Sequence, residues 1–141
     1  MRILIVLFLT LPPAFATDQT VGVRGTLMCG KEPLADAEVK LWESDIWPDP
    51  DDLMATNRTD SNGYFEIFGT ENEFFTIKPL IKFYHHCKNK GFFNNGSWCK
   101  RKVVFEVPEE YIKAGQHVKQ WYDMQVMNME PKARGEVDKF W

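Results

Sequence analysis

Catalytic chemistry is thinly supplied in this chain, which has three histidines and three cysteines. Two of the histidines, His85 and His86, are adjacent. Adjacent strand residues point to opposite faces, so the pair does not converge on one metal ion or one substrate atom. No nucleophile, base and acid stand in a catalytic spacing, which sets a secreted hydrolase aside. No helix-period apolar run and no heptad is present, which excludes a helical bundle and a coiled coil. No apolar run is long enough to cross a bilayer. Internal repeats and low-complexity linkers are also missing. With 17 bases, 20 acids and a formal charge of -3, the whole molecule is not a nucleic-acid binder by net charge.

One further absence is local. From Phe74 to Phe105 there are seven bases (Lys78, Lys82, Lys88, Lys90, Lys100, Arg101 and Lys102) and no acids. From Glu43 to Asp52 the reverse holds, with five acids and no bases. Such segregation bears on partners more than on fold.

The first residues, MRILIVLFLTLPPAFA, join a positive n-region at Arg2 to a short apolar run and a small-x-small site at Ala14-Phe15-Ala16. Residues 1–16 are expected to be a secretory signal peptide, with residues 17–130 as one domain and 131–141 as a flexible tail. The protein is therefore expected to be secreted. Asn57-Arg58-Thr59 and Asn95-Gly96-Ser97 are then potential N-glycosylation sites at Asn57 and Asn95, each expected on a surface loop.

Short alternating segments recur between turn signals. Val21, Val23 and Leu27 form one, Val39 and Leu41 another, and Tyr64 to Phe68 follows the turn Asp60-Ser61-Asn62-Gly63. Ile77 to His85, Lys102 to Val107 and Val118 to Met127 complete the set. The spacing predicts a β-sandwich. Pro108 followed by two acids predicts a single helical turn.

The ordered pieces VGVRGTLMCGKEPLADAEVKLWESD, PDPDDL, TDSNGYFEI, IKPLIKFYHHC and CKRKVVFEVPEEYI resemble the nematode transthyretin-like family over nearly the whole mature chain. The resemblance implies an all-β, prealbumin-type Greek-key sandwich of about seven strands with at most one short helix. It also implies an extracellular protein that recognises phosphatidylserine on dying cells or damaged axons and bridges it to an engulfment receptor. Two departures stand out. The tail PKARGEVDKFW lacks the fourth cysteine that relatives often carry, and Lys78 and His86 make this chain more basic where relatives are often acidic.

Cys87 and Cys99 are expected to pair, because one strand ends at the first and another starts just after the second. Closing that loop stabilises by roughly 3 kcal/mol. Cys29 is then a buried thiol, or else it bonds to another molecule. The expected lipid contact is the basic-aromatic stretch: Lys88, Lys90, Phe92, Phe93, Trp98, Lys100, Arg101 and Lys102. Bases attract an anionic headgroup layer, and aromatics bury at its depth. Trp121 and Tyr122 are expected to pack as core, and Trp42, on the other face of its strand from Val39 and Leu41, to pack under the acidic loop. The acidic run with Glu43, Asp45, Asp49, Asp51 and Asp52 has oxygen ligands of the kind Ca²⁺ takes, but not an EF-hand spacing, and reads as a solvated turn. No cofactor or metal is expected. The alternative function is an extracellular carrier of a small apolar ligand.

Overall fold

The computed structural model describes residues 15–44, 51–88 and 99–140. Its strands are β1 (Thr17–Cys29), β2 (Glu32–Pro33), β3 (Glu38–Glu43), β4 (Asp52–Arg58), β5 (Tyr64–Glu73), β6 (Pro79–His85), β7 (Cys99–Glu106), β8 (Lys113–Ala114), β9 (Trp121–Asn128) and β10 (Val137–Phe140). Seven of them hold six residues or more. The expected helical turn is a single 3-10 turn at Glu109–Tyr111.

The strands form two sheets. In the first, β1 pairs antiparallel with β5, β2 and β8 and parallel with β9. The second is antiparallel, in the order β10-β7-β6-β3-β4. The period of two in the sequence becomes the core directly. Val21, Val23 and Leu27 from β1, Val39 and Leu41 from β3, Phe65 and Ile67 from β5, and Ile81 and Phe83 from β6 are all buried. Phe65 and Phe83 meet edge to face across the sheets, ring centres 5.2 Å apart, a geometry aromatic quadrupoles favour.

The turn before β5 is built as its residues dictate. The Asp60 side chain accepts the backbone N–H groups of Asn62 and Tyr64, each at 2.9 Å. Gly63 takes a φ of +77°, and a Cβ there would lie 2.2 Å from the Leu27 carbonyl oxygen, so only glycine fits.

Two expectations are corrected. The disulfide joins Cys29 to Cys87, with Cα atoms 5.6 Å apart, and not Cys87 to Cys99. Cys29 ends β1 in one sheet and Cys87 follows β6 in the other, so the bond ties the two sheets together at one end of the sandwich. It spans 58 residues, and loop-closure entropy for a loop of that size stabilises by about 4 kcal/mol. Cys99 opens β7, its backbone paired with that of Phe140. The second correction concerns the C-terminal residues. They are not a loose tail, because β10 pairs with β7 from Val137↔Lys102 to Phe140↔Cys99. Glu136, just before it, is held in the interior by Arg101.

Candidate anion-binding face

Alternation puts one residue in two of each strand on the outside. On the second sheet this places Lys40 and Trp42 of β3, Lys82 and Tyr84 of β6, and Lys100 and Lys102 of β7 on one face. The registers Lys40↔Lys82 and Tyr84↔Lys102 make them neighbours. Arg58 of β4 lies at the edge, opposite Glu38. Like charges directly across a strand pair destabilise it, so Lys40 beside Lys82 costs stability unless each is compensated. Both are. Lys82 stacks over Trp42 at 4.6 Å from the ring centre and lies 3.7 Å from Asp51. Lys40 bonds Glu38 at 2.9 Å and lies 5.4 Å from the Tyr84 ring centre. The cation-aromatic contacts hold lysine heads over apolar rings on the outside of the sheet.

Glu38 is the hub. Lys40 at 2.9 Å, Lys100 at 3.3 Å and Arg58 at 3.8 Å all reach this one carboxylate. Burial pushes its pKa up, but the hydrogen bonds and charges of Lys40 and Lys100 outweigh burial and hold it below the usual carboxylate range. Three cations thus converge on one acid at the edge of this face.

Of the expected lipid contacts, Lys88, Lys100 and Lys102 lie at one end of this face or beside it. Lys88 is exposed, in the left-handed region with φ of +48°, directly after the disulfide. Lys90, Phe92, Phe93, Trp98 and the acceptor Asn95 lie outside the described residues. Arg101 is a correction: it is no surface contact, being 3% exposed and turned into the interior. Its guanidinium donates to the carbonyls of Cys87 at 2.8 Å, Met129 at 2.7 Å, Glu130 at 3.2 Å and Pro131 at 3.1 Å. It also grips the Glu136 carboxylate through Nε and, at 2.9 Å, through Nη2. Sequence reasoning missed Lys40, Trp42 and Glu38 as members of the face; strand parity joined to the β3–β6 register would have found them.

Other expectations fall on known ground. His85 and His86 do point apart, the first buried and the second exposed. Trp121 and Tyr122 are half-buried: Trp121 packs on the outer side of the first sheet against Phe68, and Tyr122 packs against the core beside Tyr111. Trp42 is on the outer face of its sheet. Asn57 is exposed but sits in edge strand β4 and not in a loop, its Nδ2 donating to the Glu66 carbonyl at 2.7 Å. Glu43 and Asp52 are joined by Glu71, their carboxylate oxygens within 4.8 Å of one another; Glu43 is buried rather than solvated. Among the described residues no helix is long and apolar enough to cross a membrane.

Residues 24–108 match the Transthyretin-like family, TTR-52. This chain belongs to the transthyretin-like family. Relatives from Caenorhabditis elegans match over longer stretches of the chain. Transthyretin-like protein 33 is 37% identical over 118 residues, 84% of this chain and 79% of its own. Transthyretin-like protein 46 is 42% identical over 113 residues, 80% of this chain and 61% of its own. Transthyretin-like protein 5 is 40% identical over 119 residues, 84% and 81% of the two chains. A solved 9R-lipoxygenase from Cyanothece superposes with a TM-score of 0.42 at 19% identity, over 79% of this chain and 16% of that one, too loose a likeness to carry an argument.

Proposed function

We propose that this transthyretin-like protein is a secreted binding module, not an enzyme. It recognises phosphatidylserine-bearing membranes on dying cells or damaged axons through the basic face of the second sheet, and bridges them to an engulfment receptor through another surface. The observation that carries this reading is the grouping of Lys40, Lys82, Lys100 and Lys102 with Trp42 and Tyr84 on one sheet face, with Lys88 exposed beside it. A flat cationic face suits a flat anionic one, and each base near such a surface contributes about 1 kcal/mol. The lipid-binding group proposed here keeps Lys88, Lys100 and Lys102, retains Lys90, Phe92, Phe93 and Trp98 from the adjoining segment, and drops Arg101. Asn57 and Asn95 are proposed glycan acceptors.

The carrier reading has one observation behind it, a cleft of about 520 Å³ lined by Ile77, Leu80, Val107 and Ile112. Lys78, Glu106 and Glu109 also line it, and all three are exposed, which suits an apolar ligand less well than the basic face suits an anionic surface.

Vesicle sedimentation tests the proposal. Binding to phosphatidylcholine vesicles with phosphatidylserine should exceed binding to phosphatidylcholine alone and weaken as salt rises. Lys88→Gln with Lys102→Gln removes two bases, about 2 kcal/mol or about 30-fold in affinity, without disturbing the core. Equal, salt-indifferent binding to both vesicles defeats the reading.

A further inference from the structure

We propose that residues 129–140 form an acid-released strap, held shut by a buried clasp of His85, Arg101 and Glu136, and that lowering the pH frees it from the edge of β7 while the rest of the sandwich stays folded. The strap is a conformational device of this chain and does not depend on the lipid reading.

The clasp draws on three elements. The β6–β7 register sets His85 directly opposite Arg101, and both are buried. Glu136 comes from the strap, and its side chain is buried with them. Arg101 bonds this carboxylate through Nε and Nη2, and the Ala133 N–H donates to it at 2.9 Å. The same guanidinium donates to the carbonyls of Met129, Glu130 and Pro131. One side chain of β7 therefore holds both the start of the strap and the residue just before β10. His85 is fixed beside it: its Nδ1 accepts the Cys87 N–H at 3.1 Å, while the Cys87 carbonyl accepts from Arg101.

Apolar packing holds the strap only lightly. It gives Met129 to the buried core, and Ala133 packs partly against that core. Pro131, Arg134, Gly135 and Val137 are exposed. β10 is four residues long, at the edge of its sheet, and pairs with β7 from Val137↔Lys102 to Phe140↔Cys99. A segment with few buried apolar contacts opens at lower cost than core strands do. The two sheets are tied by the Cys29–Cys87 bond, which lies outside the strap. Loss of the clasp should therefore release the strap before the sandwich.

Acid attacks the clasp at two groups. Protonating Glu136 removes the charge that Arg101 grips. Protonating His85 sets a second cation across the strand pair from Arg101, beside a carboxylate already bonded to Arg101 and Ala133. A buried charge without its own partner is costly, and opening lets water reach it. The charges that act on His85 are those of Arg101 from β7, Glu136 from the strap and the neighbouring His86, which is exposed. Burial, then the charge of Arg101, hold the His85 pKa at about 4 in the closed form. Glu136 is held below the ordinary carboxylate range, with the bond from Arg101 outweighing its burial. Both shifts are downward, so opening takes up protons. The closed form is fully favoured above about pH 6.5, weakens as the pH falls toward 4 through His85, and weakens again at more acid pH through Glu136. A ring that regains its solvated value on opening raises the opening constant about 30-fold between pH 7.5 and pH 5.

Hydrogen exchange of the full chain, corrected for the intrinsic pH dependence of exchange, tests the strap. Protection of the β10 amides should fall about 30-fold from pH 7.5 to pH 5, while the amides of β1 and β5 keep theirs. Glu136→Gln keeps the shape and removes the charge, and should raise strap opening at least 10-fold at pH 7.5. His85→Phe should flatten the response between pH 7.5 and pH 5; where that variant does not fold, the wild-type profile and Glu136→Gln decide. Strap protection that stays constant down to pH 4.5, or strap and core amides that lose protection together, overturns the proposal. So does a Glu136→Gln strap as protected as wild type at pH 7.5, or a folded His85→Phe chain with the wild-type pH response.

Discussion

Replacing Arg101 with methionine should strip the sandwich of an internal clasp while leaving its lipid affinity alone. Methionine keeps the apolar stem and removes the guanidinium. What remains is Glu136, with 2% side-chain exposure, and the carbonyls of Cys87 and Met129, all without the donor they now have. Burial alone would raise the Glu136 pKa. The hydrogen bond from Arg101, the Ala133 N–H and the Arg101 charge outweigh that and hold it below the ordinary carboxylate range. Removing one partner of a buried pair costs about 3–5 kcal/mol. Against a total of roughly 5–15 kcal/mol for a domain, that is a large share. The thermal midpoint should fall by about 10–20 °C. Urea unfolding of Arg101→Met, Glu136→Met and the double variant measures it. Because the double variant leaves no buried charge alone, it should recover at least half of the summed single losses. Hydrogen exchange should show β10 opening first in Arg101→Met. A loss below about 1 kcal/mol, or strictly additive losses, would refute the reasoning. Below its melting point the Arg101→Met protein should bind phosphatidylserine vesicles within about two-fold of wild type. A 10-fold loss there would return Arg101 to the surface role that the sequence suggested.

Acid should destabilise the protein in two steps. His85 titrates near 6.5 when unfolded and at about 4 when folded, so the unfolded chain takes the proton first. Stability is full above about pH 6.5, falls as pH drops toward 4 by up to about 3 kcal/mol, and gains no further loss from this group below that. Glu136, held below its usual range, adds a second decline at more acid pH. Urea midpoints that are flat between pH 7.5 and 4.5 would contradict the His85 assignment. Peptide mapping without reduction should recover a Cys29–Cys87 peptide, and Cys29→Ala should cost about 4 kcal/mol; a Cys87–Cys99 peptide would overturn the cross-sheet bond.

The strands were legible because one face of each is buried. Val21 and Val23, Val39 and Leu41, and Phe65 and Ile67 alternate in sequence as they do in space. The Asp60 to Gly63 turn was legible for its chemistry, a carboxylate that accepts local N–H groups and a glycine for positive φ. The disulfide was not. Nearness in sequence favoured Cys99, whereas the ends of β1 and β6 meet only once two sheets face each other, a fact of packing that no local pattern encodes. Arg101 was half legible. Alternation already separated it from Lys100 and Lys102, but its partner lies 35 residues away in a segment with no periodicity to mark it.

Charge was read along the chain, and the fold sorts it by face. The acid-free stretch from Phe74 to Phe105 supplies Lys82, Lys100 and Lys102 to the outside of the second sheet, and gives Arg101 to the interior. The same face takes Lys40 from β3, outside that stretch, and with it Glu38, the acid that Lys40, Lys100 and Arg58 share. A count along the sequence therefore overstates the basicity at one point and misses it at another. The quantity a membrane or an anion meets is the balance on the face, and there the placement of Lys40 opposite Lys82 is the telling detail. Facing lysines are a cost to a sheet. Trp42, Tyr84, Asp51 and Glu38 are arranged to offset it, which is an arrangement that serves a surface charge and does nothing for the core.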